Sequence, residues 1–112
     1  MEDAEKLQLV FQTLGEANRL RIIKFLDKKE SSVSEIVEAT RLSQPLVSHH
    51  LRILRENQIL ATKREGPFVY YQVKDTRLLD ALGMFLDIFA SWKSKETSRP
   101  LFVCPPWWKR MR

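Results

Sequence analysis

Apolar residues in the first part of the chain recur at the spacing of α-helices. Between Asp3 and Leu14 they are three or four residues apart, which places them on one face of an amphipathic helix that ends at Gly15. A second helix, with a broader apolar face, is predicted from Ala17 to Asp27. The face of the first helix consists of Leu7, Val10, Phe11 and Leu14. The N-terminal part of the chain is therefore predicted to form two amphipathic helices.

Two capping signals mark the beginning of two further helices. Ser32 is followed three residues later by Glu35, which is the spacing of a capping box and predicts a short third helix. Ser43 is a second N-cap, and Pro45 suits the first helical turn because an amide there would be unpaired anyway. The fourth helix is predicted over residues 43–56. Its apolar side consists of Val47, Leu51 and Leu54.

After residue 58 the pattern changes from helical to strand-like. Residues 59–64 and 68–74 are rich in β-branched and aromatic side chains, and the composition around Gly66 between them is typical of a tight turn. These features predict a β-hairpin over residues 59–74. A fifth helix is predicted over residues 75–94, with apolar residues at alternating steps of four and three, as in a coiled coil. This seam consists of Leu78, Leu82, Phe85, Phe89 and Trp92.

The size and composition of the chain describe a small globular protein. It has 112 residues, of which 44% are hydrophobic and 29% charged, and this balance argues against a largely disordered chain. We therefore predict one domain over residues 1–95, followed by a basic tail with proline and tryptophan over residues 96–112. The fold class is predicted to be mainly α with a small β-hairpin.

Several classes of protein are disfavoured by the same sequence. No apolar run approaches the roughly 18 residues of a membrane span, and the N-terminal residues lack the pattern of a signal peptide. The single cysteine, Cys104, cannot form an intrachain disulfide or supply a zinc-finger ligand set by itself. We expect a cytoplasmic protein with no membrane partner and no cofactor. Cys104 is either a small buried apolar residue or a redox-sensitive thiol.

The third and fourth predicted helices have the layout of a helix-turn-helix. A short linker joins them, and the second begins with small polar side chains. A glutamine can pair with adenine and an arginine with guanine or phosphate, while the free amides at a helix N-terminus suit a phosphate. The residues predicted to contact DNA are Ser43, Gln44, Ser48, His49 and Arg52. The alternative is that this is an ordinary solvated face of a helix.

The hairpin is predicted to contact DNA as a wing. Lys63 and Arg64 precede its turn and Tyr70 lies on the returning strand, so that the tip can lie along a neighbouring groove. The alternative for the two cations is that they only make an edge strand soluble. The distribution of charge favours contact. Residues 41–65 contain five basic and two acidic residues, whereas residues 1–15 contain one lysine and three acids.

A resemblance to the ArsR/SmtB family of winged-helix transcriptional repressors is carried by the segment LSQPLVSHHLRILRENQIL, with FQTLGEANRLRIIKFL before it and KREGPFVYYQVKD after it. It covers roughly residues 7–90. The resemblance implies a winged helix-turn-helix fold and a homodimer that represses by covering a palindromic operator in double-stranded DNA. It also implies an inducer that weakens DNA binding, and nothing in the sequence selects that inducer.

The apolar faces of the first and last helices are predicted to form the dimer interface that this family implies. A chain this short has few other residues that could cover both faces. The alternative is that the two faces are buried within one chain. The predicted interface residues are Leu7, Val10, Phe11, Leu78, Leu82, Phe85, Phe89 and Trp92.

The sequence departs from the metal-sensing members of the family. Ser32 and Ser34 stand where those members often have a Cys-x-Cys pair, and hydroxyls are poor ligands for thiophilic ions. The last helix contains no histidine, and both histidines of the chain, His49 and His50, are adjacent on the fourth helix. We predict no metal site and no catalytic residues. His49 is expected to reach phosphate and His50 to pack against the wing.

Two functions other than DNA-binding repression stay open at this point. One is a winged-helix protein–protein interaction module that never engages DNA. The other is a repressor that responds to a metal or a thiol reagent through ligands outside the familiar positions. An enzyme has no support in the sequence, because no paired nucleophile and base or pair of carboxylates accompanies the two histidines.

Overall fold

The computed structural model describes residues 1–92 as five helices and a three-stranded antiparallel sheet. The elements are α1 (Asp3–Leu14), α2 (Ala17–Leu26), β1 (Ser31–Ser32), α3 (Val33–Thr40), α4 (Gln44–Glu56), β2 (Leu60–Glu65), β3 (Phe68–Val73) and α5 (Arg77–Ile88). The predicted fold class, mainly α with a hairpin wing between the fourth and fifth helices, is confirmed. The predicted tail over residues 96–112, with Cys104, lies outside the described residues.

The core of the first part of the chain is built from the apolar sides of α2, α3 and α4 and from the base of the hairpin. Residues Met1–Leu79 form one compact unit, and a second begins at Asp80. The buried apolar side chains of the first unit are Leu14, Ile22, Ile23, Leu26, Ile36, Val47, Leu51, Leu54, Leu60 and Val73. The burial predicted for one side of α4 is therefore confirmed. Among residues 1–92, no helix has both the length and the apolar character needed to cross a membrane.

Hydrogen bonds of two serines determine where α3 and α4 begin. The backbone amide of Ser32 donates to Glu35 Oε1 over 2.8 Å, and the Glu35 amide donates back to Ser32 Oγ over 3.3 Å, which completes the predicted capping box. The amide of Leu46 donates to Ser43 Oγ over 3.3 Å, which confirms the second predicted cap. Between the two helices Arg41 adopts a left-handed conformation with φ of 62°, and this reverses the chain within three residues.

Two features differ from the sequence-based prediction. Residues 31 and 32 form strand β1 and pair with β3, with Ser31 opposite Tyr71, whereas the sequence pattern predicted strands only in the hairpin of residues 59–74. Two serines carry no strand periodicity, so only pairing with a distant strand defines β1. Helix α5 ends at Ile88 and not at residue 94. Beyond it the amide of Trp92 bonds to the carbonyl of Phe89, three residues back, which is a turn and not an α-helical bond. The prediction was too long because apolar spacing continues past the last α-helical hydrogen bond.

Candidate nucleic-acid interface

Helix α4 presents a polar side to solvent while its apolar side is anchored in the core. Val47, Leu51 and Leu54 are buried against α2, α3 and β2. The five side chains predicted to contact DNA, Ser43, Gln44, Ser48, His49 and Arg52, are all exposed. The fold therefore brings these five side chains together on one accessible helix, which is the geometry that a recognition helix requires.

The N-terminus of α4 carries no acidic side chain that would compete with a bound anion. Its first turn contains no aspartate or glutamate, whereas α1 has Asp3 and Glu5 there and α3 has Glu35. Because the positive end of a helix dipole favours a negative group, an uncompensated N-terminus suits a phosphate. Gln44 lies at this end of the helix, next to the capping Ser43.

His50 lies on the buried side of α4, where it contacts the beginning of α2. Its side chain accepts a hydrogen bond at Nδ1 from Nε of Arg19 over 3.2 Å, and its Nε2 is 3.8 Å from Oε1 of Glu16. The polar contacts of His50 are thus with α2, and its packing against the wing stays a prediction. Burial lowers the pKa of His50 below its ordinary value; Glu16 opposes this, while Arg19 and His49 lower the pKa further.

The wing residues lie on two different faces of the hairpin. Lys63 is opposite Tyr70 in the ladder, and Arg64 is opposite Val69, so strand alternation points the two cations to opposite faces. Lys63 Nζ is 3.4 Å from Glu65 Oε2 and 3.9 Å from Glu30 Oε1. Arg64 is exposed and has no ion pair within residues 1–92, while Tyr70 is half-buried. Arg64 is thus the wing cation that is available to an anion without an exchange of partners.

The residues predicted to form a dimer interface leave a large apolar surface on α1 and on α5. Leu78 and Leu82 are half-buried. The remaining predicted residues, Leu7, Val10, Phe11, Phe85, Phe89 and Trp92, are exposed. No residue of α5 is buried by the described part of the chain. Apolar surface of this extent is typical of a protein contact.

Serines occupy the two positions where metal-sensing members of the family often have cysteines, and one of these serines caps helix α3. Ser32 completes the capping box of α3, and Ser34 is exposed in the first turn of that helix. Within residues 1–92, no three side chains of histidine, cysteine, aspartate or glutamate lie close enough together to hold a metal ion.

Sequence reasoning missed two residues that contact the buried side of α4. Arg19 and Glu16 lie on or next to α2, 31 and 34 positions before His50, and no local pattern links them to α4. Glu30, which pairs with Lys63, was missed for the same reason. The only signal that could have found Arg19 is its place in the segment LGEANRLR, which is part of the family resemblance.

Comparisons with known proteins agree with this geometry. Residues 16–61 match the family described as bacterial regulatory proteins of the arsR type. The transcriptional repressor SdpR of Bacillus subtilis is 31% identical over 78 residues, which cover 70% of this chain and 87% of that protein.

Two solved structures share the fold. The transcriptional repressor BigR from Xylella fastidiosa is 27% identical, with a TM-score of 0.69 over 77% of this chain and 88% of that one. A winged helix-turn-helix DNA-binding domain from Mycobacterium bovis, solved by NMR as a homodimer, is 24% identical, with a TM-score of 0.67 over 80% of this chain and 89% of that one. The chain therefore belongs to the ArsR family of bacterial regulatory proteins, which are transcriptional regulators and not enzymes.

Proposed function

We propose that this protein is a homodimeric transcriptional repressor that reads a palindromic operator in double-stranded DNA. Helix α4 enters the major groove, and the hairpin of β2 and β3 lies along the adjacent backbone. The observation that carries this proposal is the division of α4 into a buried apolar side and an exposed polar side. The membership of the chain in the ArsR family supports it, because relatives such as SdpR are transcriptional repressors.

In this proposal the side chains of α4 have separate roles. Gln44 and Arg52 contact base edges, because their amide and guanidinium groups can make two hydrogen bonds to one base. Ser48 and His49 contact either a base or a neighbouring phosphate. Ser43 is already engaged as the helix cap, so its contribution is to hold the N-terminal amides toward a phosphate.

The wing contributes backbone contacts of unequal strength. Arg64 binds a phosphate directly, since it is exposed and unpaired within residues 1–92. Lys63 contacts phosphate only after it leaves Glu65 and Glu30, which reduces the net gain. Tyr70 is half-buried, so only its hydroxyl end is proposed to reach the backbone.

A second copy of the chain is proposed to cover the exposed apolar faces of α1 and α5. The homodimeric domain from Mycobacterium bovis, which shares the fold, supports this arrangement. Two-fold symmetry would set the two recognition helices on half-sites about 34–36 Å apart, one helical turn of DNA. We propose residues 1–95 as the unit that binds DNA and dimerises. An inducer would relieve repression, and the hydroxyls of Ser32 and Ser34 argue against a thiophilic metal ion in that role.

The proposal is tested by a substitution at Arg52 and binding measurements on two duplexes. The operator duplex is isolated from a random pool by selection with the wild-type protein, and a scrambled duplex has the same composition. Arg52→Ala is expected to weaken operator binding about 5- to 150-fold, equivalent to about 1–3 kcal/mol, and to weaken scrambled binding less. Fluorescence anisotropy at several salt concentrations measures both affinities. Binding to either duplex should weaken steeply with salt.

Arg55→Ala is the matched control, because Arg55 is an exposed arginine in the last turn of the same helix. It should reduce binding to both duplexes by a similar, smaller factor. Equal losses on the two duplexes with Arg52→Ala would make Arg52 a backbone contact. Absence of saturable binding to any duplex at moderate salt would reject the proposal in favour of a protein–protein interaction module.

A further inference from the structure

One side chain on the buried side of the recognition helix is titratable. His50 is 5% exposed and accepts a hydrogen bond at Nδ1 from Nε of Arg19 over 3.2 Å. The same guanidinium group donates through Nη1 to the carbonyl oxygen of Thr13 over 3.0 Å. Arg19 therefore connects the C-terminal end of α1 with the middle of α4 through two hydrogen bonds.

The hydrogen bond to Arg19 specifies the protonation state of His50. An arginine side chain has only donors, so Nδ1 of the imidazole must be unprotonated in order to accept. The neutral ring then carries its hydrogen on Nε2, which faces Oε1 of Glu16 at 3.8 Å. A protonated ring would have a donor at both nitrogens. The N–H group at Nδ1 would then face the N–H group of Arg19 Nε, and the two positive charges would repel each other.

We propose that the Arg19–His50 hydrogen bond positions helix α4 for DNA and that protonation of His50 breaks it, so that DNA binding weakens on acidification. This inference rests on the proposed role of α4 in DNA binding. It adds a control by pH that acts from the side of the helix opposite to the DNA.

The groups around His50 favour its neutral form at neutral pH. Burial disfavours the charged ring and lowers the pKa; Glu16 raises the pKa, and Arg19 and His49 lower it. Among residues 1–92, these three residues, two at the beginning of α2 and one on α4, are the charged or titratable groups that act on the ring, and α1 contributes the uncharged Thr13 carbonyl through Arg19.

Glu16 cannot stabilise the protonated ring without a cost. Its Oε1 already accepts the backbone amide of Arg19 over 3.0 Å and so caps the N-terminus of α2. A closer ion pair between Glu16 and a protonated His50 would require Oε1 to move toward Nε2 while it still accepts the Arg19 amide. Protonation therefore breaks the Arg19–His50 bond and places a second demand on the cap of α2.

The sign of the pH effect separates this mechanism from an ordinary histidine contact with DNA. His49 is exposed on the same helix, and an exposed histidine near phosphate binds DNA more strongly when it becomes protonated. Protonation of His50 has the opposite effect, because the ring loses its anchor to Arg19. A net weakening of binding at low pH is thus the specific expectation.

The first test observes the full-length wild-type protein without DNA. Long-range ¹H–¹⁵N NMR of the imidazole rings should show His50 with its hydrogen on Nε2 at pH 7.5 and with a titration midpoint below the ordinary 6.5. A hydrogen on Nδ1, or a midpoint at or above 6.5, would overturn the inference. This measurement needs no variant and does not depend on whether the protein binds DNA.

The second test compares DNA binding of the wild type and His50→Asn at pH 7.5 and pH 5.5. The asparagine amide oxygen lies where Nδ1 lies, so it can accept from Arg19 but cannot titrate. Both proteins retain His49, whose contribution therefore cancels. Between the two pH values the wild type is expected to lose more affinity for the selected operator duplex than His50→Asn, by a factor below ten, because a ring whose midpoint lies below 6.5 is only partly protonated at pH 5.5.

Arg19→Ala provides a second variant that leaves the histidine in place. It removes the donor, so binding at pH 7.5 should already be weakened and should depend less on pH than in the wild type. Equal pH dependence of the wild type and His50→Asn, with saturable binding, would overturn this inference alone. Absence of saturable binding by the wild type at both pH values would overturn the proposed function and this inference together.

Discussion

Helices α4 and α5 have similar lengths and similar apolar periodicity, but their apolar sides have different environments. Helix α4 has 13 residues, and on its apolar side Leu51 is 1% exposed. Helix α5 has 12 residues. Its apolar seam continues just past its end, where Phe89 is 51% exposed and Trp92 is 60% exposed. The rings of Phe89 and Trp92 are in edge contact, with centroids 6.2 Å apart, so they cover each other only in part.

Apolar periodicity therefore predicts that a helix has an apolar face, but it does not predict which surface covers that face. The apolar side of α4 packs against α2, α3 and β2 of the same chain. Full burial of a large apolar side chain contributes about 1.5–3 kcal/mol, so the exposed aromatic residues of this seam, Phe85, Phe89 and Trp92, represent a substantial free energy that burial by a partner would recover. The exposed aromatic surface therefore supports the proposed dimer.

The largest expected effect is a loss of stability when the buried side of α4 is truncated. Leu51→Ala should lower the free energy of unfolding by about 2–5 kcal/mol, because it removes buried methyl groups and leaves a cavity. Urea denaturation followed by circular dichroism measures this change. Leu46→Ala is the matched control, since Leu46 is on the same helix and 36% exposed, and it should change stability much less. Equal losses in the two variants would contradict the division of α4 into two sides.

The next expected effect is the loss of the dimer when a charge is placed on the seam of α5. Phe89→Asp should raise the dissociation constant of the dimer by about thirtyfold or more, which is about 2 kcal/mol or more, because it puts an unpaired carboxylate in an apolar contact. Sedimentation velocity at several protein concentrations measures the association. Met84→Asp is the control, because Met84 is also exposed but lies on the side of α5 that carries Asp80 and Asp87. A dimer that tolerates Phe89→Asp would show that this seam is not the interface.

A smaller effect is expected at the beginning of α4. Ser43→Ala should lower the free energy of unfolding by about 1 kcal/mol, because the amide of Leu46 loses its acceptor. Ser48→Ala, at an exposed position inside the same helix, should be neutral or slightly stabilising, since alanine has the higher helix propensity. Thermal unfolding of both variants separates the loss of the capping hydrogen bond from the effect of replacing any serine of this helix by alanine. A neutral Ser43→Ala would show that the cap does not determine where α4 begins.

The smallest effect is expected before α5, where Asp75 and Arg77 form an exposed ion pair. Hydrogen bonds from the side chain and backbone of Arg77 lower the pKa of Asp75 from its ordinary 3.8 to about 2. The contribution of this pair to stability is therefore present above pH 4 and is lost as the pH falls toward 2. Asp75→Asn should slightly flatten the dependence of the melting temperature on pH in this range. NMR titration of the Asp75 carboxyl group, with a midpoint near 2, is the direct measurement.

Local features of the fold were predictable because their causes lie within a few residues. The capping box of Ser32 and Glu35 and the cap at Ser43 involve partners three residues apart, and both are confirmed. The exposed side of α4 follows from the same periodicity that predicted its buried side. Strand β1 was not predictable, because its two serines become a strand only through pairing with Tyr70 and Tyr71.

The partners of the candidate site were less predictable than its members. His50 contacts Arg19 and Lys63 contacts Glu30 across more than 30 positions, and charge or polarity alone does not select such pairs. The opposite orientation of Lys63 and Arg64 depends on the register of β2 and β3, because a shift of one residue would exchange their faces.

The amino-acid sequence by itself determined the five helices, the hairpin, the capped beginnings of α3 and α4, and the exposed polar side of the recognition helix. These depend on backbone hydrogen bonds and apolar periods within single elements, which adjacent residues control. Only the tertiary structure decided that His50 is anchored by Arg19, that Lys63 is held by carboxylates, and that the apolar seam of α5 is left exposed while that of α4 is buried. Each of these depends on which distant surfaces meet, and that is determined by the packing of the whole chain.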